Sequence, residues 1–197
     1  MTTPLFEPER IRAIRDTIAE SWTPLQKRTR IEIYERFRHY CEVATDEDDL
    51  YRLLYNDVPA WTLCFLNDGV GKPLFLSKWQ CEFVELEKRA KFIWTLCSRK
   101  VGKSTVLGVK LAHDVCGPDI ERIAIFAPTH SQDFVYENVR KFLKSSPYLF
   151  ENFIANDNAD RIDAKNGSVI NNRSVSQNTG GASVRGEFAT KVLVDEI

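Results

Sequence analysis

The chain has 197 residues, of which 43% are hydrophobic and 28% are charged, and its formal net charge is −1. This composition is ordinary for a soluble globular protein, and the near-zero charge gives no global sign of binding to nucleic acid or to a membrane. None of the five cysteines forms a CxxC pair, and no stretch approaches the ~20 apolar residues of a membrane span, so a zinc site, a disulfide framework and a membrane anchor are not expected.

The first part of the chain, residues 1–70, is predicted to be a helical N-terminal arm. Apolar residues recur at helical spacing over residues 7–20, and again over Pro24–Val43. The acidic run at residues 46–49 is expected to cap a short third helix. The turn-rich segment 67–73 then separates the arm from the rest of the chain.

The remainder, residues 71–197, is predicted to be an α/β core domain. Its elements are expected in the order helix 78–90, apolar strand 92–97, helix 103–115, strand 123–127 and a helix that follows Ser131. Strands and helices that alternate in this rhythm predict a parallel sheet flanked by helices.

A β-hairpin is predicted around Asn166-Gly167, a dipeptide that is typical of two-residue hairpin turns. We expect this hairpin to be an insertion into the parallel core. A final strand is predicted from Lys191 to the end of the chain.

A phosphate-binding loop is indicated between the apolar strand and the helix that begins at Lys103. In the GxxxxGK[ST] pattern, backbone N–H groups surround the phosphates, the lysine reaches the β- and γ-phosphates, and the hydroxyl binds magnesium. Gly102-Lys103-Ser104 supplies the end of this pattern, whereas Cys97 stands where the first glycine is usual. The alternative interpretation is an ordinary strand–helix turn with a surface lysine.

An acidic pair, Asp195-Glu196, follows four apolar-leaning residues near the end of the chain. An aspartate at the end of a strand can hold magnesium, and a neighbouring carboxylate can orient or deprotonate the attacking water. Two solvated acids would be the better interpretation of this pair alone. The phosphate loop earlier in the chain favours an ATP site.

Six elements, taken in chain order, resemble the ATPase half of the large subunit of tailed-phage terminases, the motors that move double-stranded DNA into procapsids. They are Trp79-Gln80, Ser98 to Ser104, Ala127-Pro128-Thr129, Asn166-Gly167-Ser168, Arg185-Gly186 and Val194-Asp195-Glu196. The resemblance covers roughly residues 70–197 and implies a P-loop NTPase fold of the additional-strand type. That family has a variant phosphate loop without the first glycine, so Cys97 is compatible with a working site.

The resemblance implies ATP and Mg²⁺ as cofactors. It makes Glu196, Lys103 and Arg99 the catalytic residues, and Ser104 and Asp195 the magnesium ligands. The nucleotide-binding residues that it implies are Gln80, which would contact the adenine edge, and Ser98, Arg99, Lys100, Val101, Gly102, Lys103, Ser104 and Thr105. Gln80 could instead be a surface helix residue, and Arg185 could either sense phosphate or anchor a loop.

The implied partners are double-stranded DNA, the viral portal protein and the terminase small subunit. The family also implies a homo-oligomeric ring in the host cell cytoplasm, docked transiently on the procapsid, with no membrane contact. The chain ends one residue after the acidic pair, so we expect a coupling motif, a further strand and a C-terminal nuclease domain to be absent, and the fragment to hydrolyse ATP poorly alone. Two other interpretations stay open: another P-loop DNA-dependent ATPase of the helicase or recombination type, and a non-catalytic fragment.

Overall fold

A computed structural model of the chain describes residues 8–21, 23–93, 95, 98, 100–127, 134–174 and 188–194. The chain divides into two compact units, Met1–Val101 and Gly102–Ile197. The boundary near residue 70 that the sequence suggested stays a prediction.

The first unit is helical in its described part. Its helices are α1 (Pro8–Ala19), α2 (Pro24–Val43), α3 (Glu47–Tyr55), α4 (Val58–Phe65) and α5 (Lys78–Glu87). The predicted helices are confirmed, and local capping explains where two of them begin. The Thr23 hydroxyl accepts a hydrogen bond from the Gln26 N–H, and the Asp46 carboxylate accepts one from the Asp49 N–H.

Helix α4 forms the centre of this unit, since all eight of its residues are buried. It packs against α2, α3 and α5. Asp57 caps its N-terminus and is held by Arg36, whose Nε lies 2.6 Å from Asp57 Oδ2. Arg10 of α1 covers the other end by donating to the carbonyls of Leu63 and Leu66, both at 2.7 Å. Burial lowers the pKa of the Arg10 guanidinium, so these hydrogen bonds compensate part of its desolvation.

The second unit contains α6 (Lys103–Val115), β1 (Arg122–Ala127), α7 (Phe134–Ser145), α8 (Pro147–Phe153), β2 (Ile154–Asp157), β3 (Arg161–Ala164), β4 (Val169–Ser174) and β5 (Lys191–Val194). Its described strands form one sheet in the order β2-β3-β4-β1-β5. Strand β1 pairs in parallel with both β4 and β5, whereas β3 pairs antiparallel with β2 and β4.

The prediction of a parallel sheet is therefore wrong in one respect, because the sheet is mixed. The hairpin at Asn166-Gly167 is confirmed, with Gly167 in the left-handed region at φ 92°, which suits a tight turn. Such a turn forces β3 and β4 to run antiparallel, while β4 also pairs with β1. The hairpin is thus an integral part of the sheet and not an insertion into it.

The apolar strand predicted at residues 92–97 is not observed at Phe92, Ile93 or Thr95, which lie outside any strand. Phe92 is 94% exposed. Trp94, Leu96 and Cys97 are not among the described residues. The P-loop type of fold, in which a strand leads into the loop, accordingly stays a prediction.

Both faces of β1 are buried, with Ala124 and Phe126 on the side opposite Ile123 and Ile125. Residues in register across parallel strands point to the same side, and alternate residues point to opposite sides. The side that carries Lys191, which reaches α6, also carries the buried side chains of Ile123, Ile125 and Ile170. The core of this unit consequently lies between the sheet and its helices.

Helices α6 and α7 approach closely at Gly108. A Cβ atom at this position would lie 2.8 Å from Asn138 Cβ and 3.3 Å from a ring carbon of Phe142. Because Asn138 Cβ is fixed to the α7 backbone, the two helices would have to separate to admit a methyl group.

We therefore expect Gly108→Ala to lower the free energy of unfolding by roughly 1–2 kcal/mol, since overpacking outweighs the better helix propensity of alanine. Urea denaturation measures this difference, with Lys141→Ala on the exposed side of α7 as the control. A Gly108→Ala protein as stable as the wild type would show that α6 and α7 are not in close contact.

Candidate nucleotide-binding site

The predicted phosphate loop ends in a sharp turn. Gly102 has φ 85° and ψ 30°, in the left-handed region, and it is the N-cap of α6. Lys100 also has a positive φ, 63°, which is uncommon for a residue with a side chain. Both residues thus have left-handed backbone conformations shortly before the helix begins at Lys103.

The first turn of α6 has the properties of an anion site. A glycine N-cap offers no side-chain acceptor, and the first turn contains no acidic residue. The first N–H groups of a helix have no partner within it, and the helix terminus has a positive partial charge. Lys103, Ser104 and Thr105 are half-buried there. This arrangement can bind a phosphate group.

The structure brings together Gly102, Lys103, Ser104 and Thr105 of the predicted nucleotide set, because they are consecutive at the start of α6. Ser98 and Lys100 are exposed and belong to the first unit, as does the half-buried Val101. Arg99 lies outside the described residues.

Gln80 also belongs to the first unit, where it is buried at the N-terminus of α5. Its Oε1 accepts hydrogen bonds from the Ser77 N–H at 2.8 Å and from the Ser77 hydroxyl at 3.1 Å, which completes a capping box. This residue is therefore not an exposed helix residue. A nucleotide contact through Oε1 would have to share or replace these bonds, and the predicted adenine contact stays a prediction.

The acidic pair Asp195-Glu196 and Arg185 lie outside the described residues. The strand that precedes the acidic pair is described as β5, and it ends at Val194. Of the two predicted magnesium ligands, only Ser104 is among the described residues. For Asp195, the structure describes only the strand that precedes it in the chain.

A cluster of buried charges joins α6 to the start of β5. Asp114, in the last turn of α6, is 4% exposed and pairs with Lys110 one turn earlier. Its Oδ2 lies 2.7 Å from Nζ of Lys191, and its Oδ1 lies 3.4 Å from Nδ1 of His113. Lys191 Nζ also lies 3.6 Å from Oε1 of Glu121.

The charges around Asp114 keep it ionised. Burial alone would raise the pKa of this carboxyl, but the hydrogen bond from His113 and the charges of Lys110 and Lys191 outweigh it and hold the pKa below its ordinary value. The cluster contains two lysines and two carboxylates, so its net charge is close to zero. They are Lys110, Lys191, Asp114 and Glu121.

This cluster was not predicted from the sequence. Lys110 and Asp114 are four residues apart on a helix, a spacing at which opposite charges meet, and they lie among apolar residues. That spacing was the available signal. The contact of Lys191 with Asp114 could not be predicted from the sequence, because the two residues are 77 positions apart.

The described ranges contain no group of three or more His, Cys, Asp or Glu residues arranged to hold a metal ion. No helix in them combines the length and the apolar character that a membrane crossing requires.

Comparison with known families gives one match. The family described as "Terminase large subunit, T4likevirus-type, N-terminal" matches residues 95–197, which is more than half of the chain. The match includes the loop, α6 and the whole sheet of the second unit. A comparison with individual curated proteins found no match. From the family match we conclude that this chain belongs to the terminase large subunit family, in its T4-like, N-terminal type.

Proposed function

We propose that this chain is the ATP-hydrolysing part of a viral DNA-packaging motor, which couples ATP hydrolysis to the translocation of double-stranded DNA into procapsids. The observation that carries the proposal is the start of α6, where a left-handed glycine N-cap and Lys103-Ser104 form an anion site in a terminase-family chain.

The residues of α6 fit the phosphates of a nucleotide. The Lys103 ammonium binds the β- and γ-phosphates, and the first N–H groups of the helix surround them. Arg99 adds a second cation from the loop. The first turn contains no acidic side chain, which favours an anion at the positive end of the helix.

Ser104 and Asp195 are the proposed magnesium ligands, and Glu196 is the proposed catalytic carboxylate. Bound magnesium neutralises charge that develops on the phosphates. Glu196 orients the attacking water and accepts its proton. Gln80 contacts the adenine edge.

The contact between α6 and β5 supports this assignment. The last turn of α6 contacts the first residue of β5, so both elements lead away from the same contact. Lys103 lies about 17 Å from Asp114 along the helix axis. Val194 lies about 10 Å from Lys191 along the strand.

The proposed setting is a homo-oligomeric ring of the full-length protein in the host cell cytoplasm, docked on the procapsid. Double-stranded DNA, the portal protein and the terminase small subunit are its proposed partners. The family match is what supports this setting.

The proposal is tested by phosphate release from the full-length gene product with ATP, Mg²⁺ and double-stranded DNA. We expect Glu196→Gln to reduce the turnover rate by about 10²- to 10⁴-fold, because it removes a general base. Nucleotide affinity should be unchanged, since the glutamine keeps the size of the side chain. Equal turnover by the two proteins would remove Glu196 from the mechanism, and no turnover by either would refute the proposed function.

A further inference from the structure

Strand β5 has few restraints of its own. It is four residues long, and among the described strands it pairs only with β1. On the side away from α6, Val192 is 60% and Val194 is 53% exposed. The register of such a strand is weakly specified by burial, because little apolar surface would change its environment on slipping.

Lys191 restrains β5 by linking the strand to α6. It is the first residue of β5, and its ammonium is shared by Asp114 of α6 and Glu121, the residue before β1. Next to it, the Thr190 N–H donates to the Arg122 carbonyl at 2.8 Å, and the Thr190 hydroxyl accepts from the Arg122 N–H at 2.9 Å. One end of β5 is thus fastened to both α6 and β1.

A displacement of β5 would be large on the scale of catalysis. A slip of two residues keeps the same side chains facing α6 but moves the strand by about 6.6 Å. Even a shift of about 1 Å in a catalytic group can reduce a rate by about 100-fold. Asp195 follows Val194 directly in the chain, so any movement of β5 is transmitted to the acidic pair.

We propose that Lys191 is a positioning residue, whose ion pair with the Asp114 carboxylate fixes the register of β5 against α6 and thereby positions the strand from which the proposed catalytic acids continue. This inference rests on the proposed function for its catalytic consequence, but the register itself can be measured without a nucleotide. The pair is partly buried, since the side chain of Asp114 is 5% exposed and that of Lys191 is 32% exposed, and specifying register is the best-attested role of buried ionic groups.

The surrounding charges allow Lys191→Met to remove one ion pair without leaving a buried carboxylate unpaired. Lys110 still balances Asp114 when Lys191 is replaced, and the side chain of Glu121 is one-fifth exposed and can be hydrated. The methionine keeps the apolar stem of the lysine. Lys191→Arg retains the charge. Lys144→Met is the matched control, because it removes the ion pair between Lys144 and Asp157 elsewhere in the same unit.

The first measurement is amide hydrogen exchange in the nucleotide-free protein. We expect Lys191→Met to accelerate exchange at Val192 and Val194 by at least about tenfold while the β1–β4 and β3–β4 amides stay protected. Lys191→Arg and Lys144→Met should leave β5 as in the wild type. Unchanged exchange in β5 of the Lys191→Met protein would overturn the proposal.

The second measurement is ATP turnover by the full-length protein at a temperature where every variant is folded. We expect kcat of Lys191→Met to fall at least about tenfold with nucleotide affinity within about twofold of wild type, and Lys191→Arg to restore kcat. If Lys191 only stabilised the fold, kcat would not change. Faster amide exchange in β5 together with a normal kcat would therefore also overturn the proposal. A wild type that does not hydrolyse ATP refutes the proposed function and with it the catalytic role of Lys191, whatever the exchange shows.

Discussion

Lys103→Ala is expected to weaken the binding of Mg·ATP to this chain strongly. A hydrogen bond from a charged group contributes about 1.5–3 kcal/mol, so losing the ammonium weakens binding by roughly 10- to 150-fold. Isothermal titration calorimetry with wild-type and variant chains measures this change.

The variant should fold normally, because Lys103 is half-buried at the end of a helix and alanine suits a helix. Lys141→Ala, which removes an exposed lysine from α7, is the control for a general loss of positive charge. Equal affinities of the wild type and Lys103→Ala would exclude the start of α6 as the phosphate site.

Asp114→Asn is expected to cause a large loss of stability in the second unit. The substitution removes one partner from a buried ion pair and leaves Lys110 and Lys191 close together, which typically costs about 3–5 kcal/mol. Urea denaturation at pH 7 measures the loss. Asp119→Asn, at an exposed position five residues later, is the control and should lie within about 0.5 kcal/mol of the wild type.

The same variant should differ from the wild type in its response to acid. The folded-state pKa of Asp114 is lowered, so its carboxylate stabilises the fold at pH values above about 3.9, the ordinary pKa of aspartate. This contribution disappears as the pH falls below that value toward the folded-state pKa. The stability difference between wild type and Asp114→Asn should therefore shrink between pH 5 and about pH 2. A constant difference over that range would show that Asp114 is not held ionised by its neighbours.

Local signals were enough to predict the helices and the hairpin. The structure gives α2 the predicted limits Pro24–Val43, since Thr23 caps it and proline suits its first position. Helix α6 ends before Gly117-Pro118, a pair that stops helices. Each of these signals acts within a few residues, so the sequence contains it without knowledge of the fold.

Helix α4 was not predicted, because it lacks the pattern on which helix prediction depends. Every residue from Val58 to Phe65 is buried, so no polar face alternates with an apolar one. Its ends are fixed by Arg36 and Arg10, which come from other helices. Such a helix is defined by tertiary contacts more than by its own sequence.

The order of strands was beyond sequence reasoning for a similar reason. The rhythm of strands and helices predicted an α/β fold but could not show that β4 lies beside β1 and not apart from it. At the site, the pattern located Gly102-Lys103-Ser104 correctly at the start of a helix. The charge cluster around Asp114 depends on the strand order, so it became visible only with the fold.

The position of β1 between β4 and β5 determines how late this sheet can be completed during synthesis. Contacts at its beginning join Glu121 to Ser168 and Arg122 to Thr190, across 47 and 68 residues. Closing such long loops costs entropy before any pairing compensates it, so contacts of this kind form slowly. The β3–β4 hairpin is local and can form before it docks. During synthesis on the ribosome, β1 therefore cannot be fully paired until both of its neighbours have been made. The strand that leads to the acidic pair, β5, is the last of the described strands to pair with it.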